Sequence, residues 1–230
     1  MILAGLQKLS LVDYPGFISS IIFTQGCNFF CGYCQNPDLI QCDPKYDCTE
    51  EYVTRFLSGH RDMIEGVVIT GGEPTVHKDL PGLIGKIKEL GYKIKLDTNG
   101  ANPVAVEGLI RERKLDYIAL DIKTSLDKYS QVTGIKDIGE RIARSVYLLL
   151  LSYTDYEIRI TCVPGLTGET EIVSIARMIK GAERCVLQQF RPIVTYDEKF
   201  REVKPYSREI LSKFKNILSD HVKNVEIRGV

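Results

Sequence analysis

An open, partial (β/α)6 barrel, an α/β fold of parallel strands with helices outside, is the architecture this sequence predicts, on three observations. Short apolar runs alternate with segments of helical period, the pattern of βαβ units joined by right-handed crossovers. Six such units are too few for a closed eight-fold barrel. The polar motifs fall directly after the apolar runs, at the strand ends where parallel α/β sheets bind ligands. A doubly wound open sheet is the alternative, and it would put ligands at the same end.

The 18–24 run, ISSIIFT, is short and rich in Ile, as a strand buried on both faces is. It leads into a loop in which Gly26 and Gly32 allow positive φ and Pro37 with Asp38 closes the segment. Helical patterning over 49–64 begins at Thr49, an N-cap ahead of Glu50 and Glu51, with Val53, Phe56 and Leu57 on one face. GVVIT at 66–70 is the second strand and runs into Gly71-Gly72-Glu73-Pro74. A helix over 80–90 ends near Gly91, and the third strand, 92–96, leads into Asp97-Thr98-Asn99-Gly100. Asn102 caps a helix that has Pro103 at its first position and reaches about residue 114. DYIAL at 116–120 is the fourth strand, followed by Asp121-Ile122-Lys123 and a short helical turn over 126–132. A helix over 138–151, a strand over 156–163 stopped by Pro164-Gly165, a helix over 169–180 and a strand over 185–190 complete the units. An amphipathic helix over 207–220 and a terminal strand over 225–228 close the chain.

With 230 residues, 44% of them hydrophobic, the chain is long enough for a sizeable core, and one domain over 1–230 is expected. Thirty basic residues balance thirty acidic ones, so no net field draws the protein to nucleic acid or to an anionic membrane. No apolar run approaches a membrane span, and MILAGLQKLSLVDYPG lacks the basic start and long apolar core of a secretory signal, which suggests a cytoplasmic protein. The cysteine count of seven is odd, and the densest group is spaced for a metal rather than for loop closure by disulfides.

That group is Cys27, Cys31 and Cys34. Three thiolates in one turn suit an iron-sulfur cube, whose fourth iron would then be open to a ligand. A structural zinc site is the competing reading, but the candidates for a fourth ligand, His60, Cys42 and Cys48, are poorly placed. Cys42 and Cys48 read either as isolated thiols or as part of a second metal site, and Cys162 and Cys185 as strand residues. Gly71-Gly72-Glu73-Pro74 reads alone as a tight turn; near the cysteine loop, its glycines let a ligand approach the backbone and Glu73 offers a carboxylate to an ammonium. Asp97, Thr98, Asn99 and Asp121 read as caps or as holders of a hard cation or ribose hydroxyls. Lys123 is either solvated or part of the same site. Arg159 sits inside an apolar strand, where a guanidinium needs an anionic partner such as a ligand carboxylate.

CNFFCGYC, with GGEP one strand later, resembles the radical S-adenosylmethionine family, in which a Cys-x3-Cys-x2-Cys loop and a Gly-Gly-Glu motif recur together. GLQKLSLVDYPG (5–16), FTQGCNFFCGYCQNPDL (23–39), KLDTNG (95–100), LDIK (120–123) and IRITCVPG (158–165) resemble the activating proteins of anaerobic ribonucleoside-triphosphate reductase and are also similar to the pyruvate formate-lyase activating enzymes. The resemblance covers about the first 165 residues. It implies a 4Fe-4S cluster on Cys27, Cys31 and Cys34 whose open iron chelates S-adenosylmethionine, with Tyr33 against the adenine. It implies Gly71, Gly72, Glu73 and Pro74 as the motif whose glutamate holds the methionine ammonium. Asp97, Thr98, Asn99, Asp121 and Lys123 would arrange the ribose, the carboxylate or a monovalent cation, and Arg159 would meet the carboxylate. The implied reaction is reductive cleavage to a 5′-deoxyadenosyl radical that takes hydrogen from a partner's glycine. The implied partners are a glycyl-radical enzyme, anaerobic ribonucleotide reductase first, and a low-potential donor such as flavodoxin or ferredoxin. Two departures stand out: Gln35, where relatives often carry His, and QQFRP at 188–192, which lacks the histidine-containing end of the formate-lyase activators. A small-molecule substrate, as in enzymes that build modified nucleobases, is the alternative within the family. A non-enzyme electron carrier or zinc module is the alternative outside it, and the strand-end Glu73, Asp121 and Arg159 oppose that reading.

Overall fold

The computed structural model describes residues 1–42 and 48–230. The segment between Cys42 and Cys48 therefore lies outside the described residues. Among these the strands form one sheet in the order β1 (Leu3–Ser10), β2 (Ser19–Thr24), β3 (Gly66–Gly71), β4 (Lys93–Thr98), β5 (Tyr117–Ile122), β6 (Asp155–Cys162), β7 (Arg184–Gln189) and β8 (Asn224–Arg228). The order runs from the first strand to the last without returning, so the sheet is open. β2 to β3, β3 to β4, β6 to β7 and β7 to β8 pair in parallel. The connections carry α1 (Glu50–Ser58), α2 (Leu80–Glu89), α3 (Pro103–Arg111), α4 (Tyr129–Thr133), α5 (Gly139–Leu150), α6 (Glu169–Met178) and α7 (Arg208–Ser219). The fold is the open, partial α/β barrel that the alternation of strands and helices predicts.

Three elements depart from the sequence reading. β1 was not foreseen: it pairs antiparallel with β2 and exposes Gln7, Lys8 and Leu9, and a strand at the edge of a sheet needs no sustained apolar alternation. The helix expected to reach residue 64 stops at Ser58, where the Gly59 N–H closes onto the carbonyls of Leu57 and Phe56. The expected turn over 126–132 is a 3-10 turn, Leu126–Lys128, leading into α4. The strand ends also shift toward the motifs, so Asp97 and Thr98 lie on β4 and Asp121 on β5, while Arg159 lies within β6 as expected.

The chain divides into two compact units. In the first, Met1–Asn28, Asp38–Thr98 and Val104–Ile118, one face of the sheet carries a cluster of Tyr14, Ile21, Val68 and Tyr117 with Phe17 and Phe23 against it. Ile21 opposes Val68 and Val68 opposes Lys95, so these three share a layer. Ile22, Ile69, Ile94 and Leu96, of opposite parity on the same strands, are fully buried. Each such side chain contributes roughly 1.5–3 kcal/mol on leaving water. In the second unit, Phe29–Pro37, Asn99–Pro103 and Ala119–Val230, the core takes Ile158, Ile160, Val186 and Leu187 from the strands, Ile172 and Ile175 from α6, and Leu211 and Leu218 from α7. Buried Glu157 on β6 is met there by both terminal nitrogens of Arg228, at 3.2 and 2.8 Å, which ties in β8.

Candidate functional site

The Gly-Gly-Glu-Pro segment is shaped by what it packs against. Gly71 has φ +122°, and a Cβ there would lie 2.3 Å from the Thr24 carbonyl oxygen. A Cβ on Gly72 would lie 2.1 Å from the Gly26 oxygen and 2.8 Å from that of Leu39. Only a residue with no side chain lets the two backbones approach so closely. They are joined by hydrogen bonds from Gly72 N–H to Thr24 O at 2.9 Å and from Glu73 N–H to Gly26 O at 2.8 Å. The His77 ring adds a donor, Nε2 to Gln25 O at 2.7 Å. Gly26 and Cys27 donate in turn to Leu39 and Ile40, at 2.8 and 3.0 Å. The motif after β3 thus grips the stretch that opens the cysteine loop.

Glu73 is 1% exposed. Its Oε1 accepts from Thr75 Oγ1 at 2.5 Å, Thr75 N–H at 3.1 Å and Thr98 Oγ1 at 2.7 Å. Pro74 begins the 3-10 turn Pro74–Val76 that Glu73 caps. Thr75 has a place in this set that sequence reasoning missed; its signal was its position two residues beyond a carboxylate, within reach of that group's oxygens. Asp97 Oδ1 is paired with the Lys95 ammonium at 2.5 Å. Cys42 is exposed, with its Sγ 3.5 Å from where a Cβ on Gly26 would stand, and Cys48 bridges to Leu3.

In the second unit the loop is pinned from several sides. Phe30 N–H reaches Thr133 O at 2.9 Å, and Cys34 N–H closes a turn on Cys31 O at 2.9 Å. The Gly32 and Cys34 carbonyls accept from Asp197 and Tyr196, at 2.8 and 3.1 Å. A Cβ on Gly32 would lie 2.6 Å from the Phe200 ring. Gln35 donates its amide to Arg191 O at 2.7 Å, so its side chain ties the 191–197 segment to the loop. Tyr33 is buried edge-on to Phe190 and Phe200, and its hydroxyl is buried without a hydrogen-bond partner. Burial foremost, with Cys31 adding, raises that hydroxyl well above the usual tyrosine range.

Asp121 is forked by Arg159, Nε to Oδ1 at 2.8 Å and Nη2 to Oδ2 at 3.2 Å, with the Lys123 ammonium at 3.4 Å. Burial alone would raise its pKa; the guanidinium and the ammonium outweigh that and hold the carboxyl well below its usual range. Burial pushes Lys123 down, but Asp121 with Cys31 and Tyr129 together outweigh it, so it stays charged. Its N–H donates to the Tyr129 hydroxyl at 3.0 Å, a buried group that the sequence did not flag. The anionic partner that Arg159 requires is thus present in the chain as Asp121. Burial pushes the Cys34 thiol up, opposed by the Asn36 N–H and by Lys123. Asn99 accepts from Ala101 N–H at 2.9 Å and closes a turn before α3. Among the described residues no three His, Cys, Asp or Glu side chains converge on the position of one ion, whereas the thiolates of a cube each hold a separate iron.

A family model described as the Radical SAM superfamily matches residues 21–179. A protein of Methanocaldococcus jannaschii, named as a candidate glycyl-radical enzyme activating enzyme, is 33% identical over 236 residues that cover 100% of this chain and 96% of the relative. A pyruvate formate-lyase-activating enzyme of Clostridium pasteurianum is 26% identical over 94% of this chain and 96% of its own. Among solved structures, Streptococcus suis SuiB bound to S-adenosylmethionine has a TM-score of 0.70 at 17% identity, covering 91% of this chain and 50% of that one. Archaeal TYW1 has a TM-score of 0.60 at 15% identity, covering 89% and 72%. At those identities the two structures speak to the fold.

Proposed function

Because the chain belongs to the Radical SAM superfamily, and along its whole length to the glycyl-radical enzyme activating enzymes, we propose that the enzyme it activates is anaerobic ribonucleoside-triphosphate reductase. The family carries a 4Fe-4S cluster and S-adenosylmethionine, and this chain's residues fit them. Three thiols stand on one loop held by backbone bonds at both ends, and the buried Tyr33 hydroxyl has a hydrogen-bonding capacity that the chain does not use. Bound there, the cluster and S-adenosylmethionine supply one-electron cleavage of the sulfonium, which frees a 5′-deoxyadenosyl radical able to take hydrogen from a glycine.

The residues divide that task. Cys27, Cys31 and Cys34 would each hold one iron. Glu73, immobilised by Thr75 and Thr98, would receive the methionine ammonium without moving. Lys123, kept charged by Asp121, is the cation for the ligand's carboxylate, and Arg159 holds Asp121 in place for the ribose. Tyr33 would border the adenine. Gly71, Gly72 and Pro74 set the backbone on which Glu73 is carried, and Asn99 fixes the turn after Asp97 and Thr98. A low-potential donor such as flavodoxin or ferredoxin would supply the electron.

What supports the choice of partner is the resemblance of the runs from 5–16 through 158–165 to the reductase activators, together with Gln35, whose amide serves the loop's packing. The test mixes the reduced protein and S-adenosylmethionine with anaerobic ribonucleotide reductase or with pyruvate formate-lyase. Nucleotide reduction should appear in the first mixture. Activation of the lyase with none of the reductase would overturn the assignment, and 5′-deoxyadenosine release with neither enzyme activated would favour a small-molecule substrate.

A further inference from the structure

Lys95 opens the KLDTNG run and is given no role by the resemblance, yet it is 1% exposed and among the largest fully buried side chains. It stands on β4 opposite Val68, in the layer completed by Ile21, with its ammonium 6.0 Å from the centre of the Tyr117 ring. Its neighbours Val68 and Tyr117 belong to the apolar and aromatic core cluster on that face. An unpaired ammonium there would be strongly unfavourable, and a leucine or methionine would fill the same volume without that penalty. The lysine stem fills the layer while the charge is delivered two residues along the same face, to Asp97 Oδ1 at 2.5 Å. Asp97 is the more accessible member, at 13% side-chain exposure against 2%.

The resemblance implied a monovalent cation as one occupant for Asp97 and Thr98. These residues do not fit a metal cation well, since Asp97 Oδ1 already meets the Lys95 ammonium, whose charge repels a second cation at that carboxylate. We propose that the Lys95 ammonium is the resident counter-cation of Asp97, fixing that carboxylate for the ligand, so that the protein binds S-adenosylmethionine without sodium or potassium. The inference rests on the reading that Asp97 lies at the S-adenosylmethionine site. A covalently attached cation cannot be lost by dilution, and its position is set by the strand rather than by ion concentration. Lys95 is thus a positioning residue, acting through Asp97.

The experiment titrates S-adenosylmethionine into the anaerobically reconstituted holoprotein by calorimetry, in tetramethylammonium buffer and then with sodium or potassium at equal ionic strength. The Kd of the unmodified protein should stay within about twofold in all three media. Lys95→Met, which keeps the length and loses the charge, should bind about tenfold or more weakly in tetramethylammonium and recover with sodium or potassium, and its melting temperature should rise with those ions. Lys95→Arg should remain indifferent to the cation. A tenfold gain in affinity of the unmodified protein on adding either metal ion would overturn the proposal even if Lys95→Met did not fold. So would a folded, iron-loaded Lys95→Met whose affinity matches the original in every medium. Asp97→Asn with unchanged affinity would instead remove the site reading itself, which separates the two failures.

Discussion

Glu73 shows how much of the site turns on single side chains. One oxygen of its carboxylate takes three donors, from Thr75 and Thr98, and its backbone is held to Gly26. Glu73→Gln keeps the shape and removes the charge; a charge-assisted contact is worth about 1.5–3 kcal/mol, so the Kd for S-adenosylmethionine should rise about tenfold or more with the cluster intact. Unchanged affinity in the titration would return Glu73 to a purely structural role. The cysteines divide just as sharply. Cys31→Ala should abolish the 4Fe-4S absorbance, whereas Cys162→Ala should retain it, because Cys162 is fully buried on β6 and burial pushes its thiol up to about 12. For the same reason native Cys162 should resist alkylation at neutral pH while exposed Cys42 reacts, which mass spectrometry of labelled peptides reads directly. At this scale the motif residues were legible from their types and spacing. Lys95, Thr75 and Tyr129 were not, because each acts through a neighbour that only the fold supplies. Arg159 lies between these cases: its position inside an apolar strand announced an anionic partner, and the partner in the chain is Asp121.

At the scale of elements, the contact between the end of β3 and the stretch after β2 decides where the cysteine loop begins. Gly72→Ala would drive a methyl to 2.1 Å from the Gly26 oxygen, and overpacking against backbone of this kind costs about 1–3 kcal/mol, so the melting temperature and the iron content should both fall. Gly82→Ala is the control: nothing lies within 4 Å of its Cβ in α2, and alanine there should be neutral or stabilising by up to about 1 kcal/mol. If both variants melt alike, close approach is not what Gly72 provides. The parallel strands were readable because burial on both faces leaves continuous runs of Ile, Val and Leu. β1 left no such run, with Gln7, Lys8 and Leu9 exposed and only its two end residues buried, and the overextension of α1 came from apolar residues beyond Gly59 that belong to a turn, where His60 stacks on Phe56 at 4.1 Å.

For the molecule as a whole, charge and chemistry make separate statements. Formal net charge is zero, and among the described residues no helix is long and apolar enough to cross a membrane. Docking of a partner must therefore rest on local shape and backbone hydrogen bonds, and moderate salt should slow activation only slightly; a steep loss with ionic strength would show that charge steering dominates. The central claim is that a radical passes from this protein to a glycine of anaerobic ribonucleotide reductase. Electron paramagnetic resonance on the reduced protein, S-adenosylmethionine and the reductase tests it most directly. The expected spectrum is a doublet that collapses when the reductase glycine carries deuterium at its α-carbon; 5′-deoxyadenosine released with no radical on the reductase would contradict the claim.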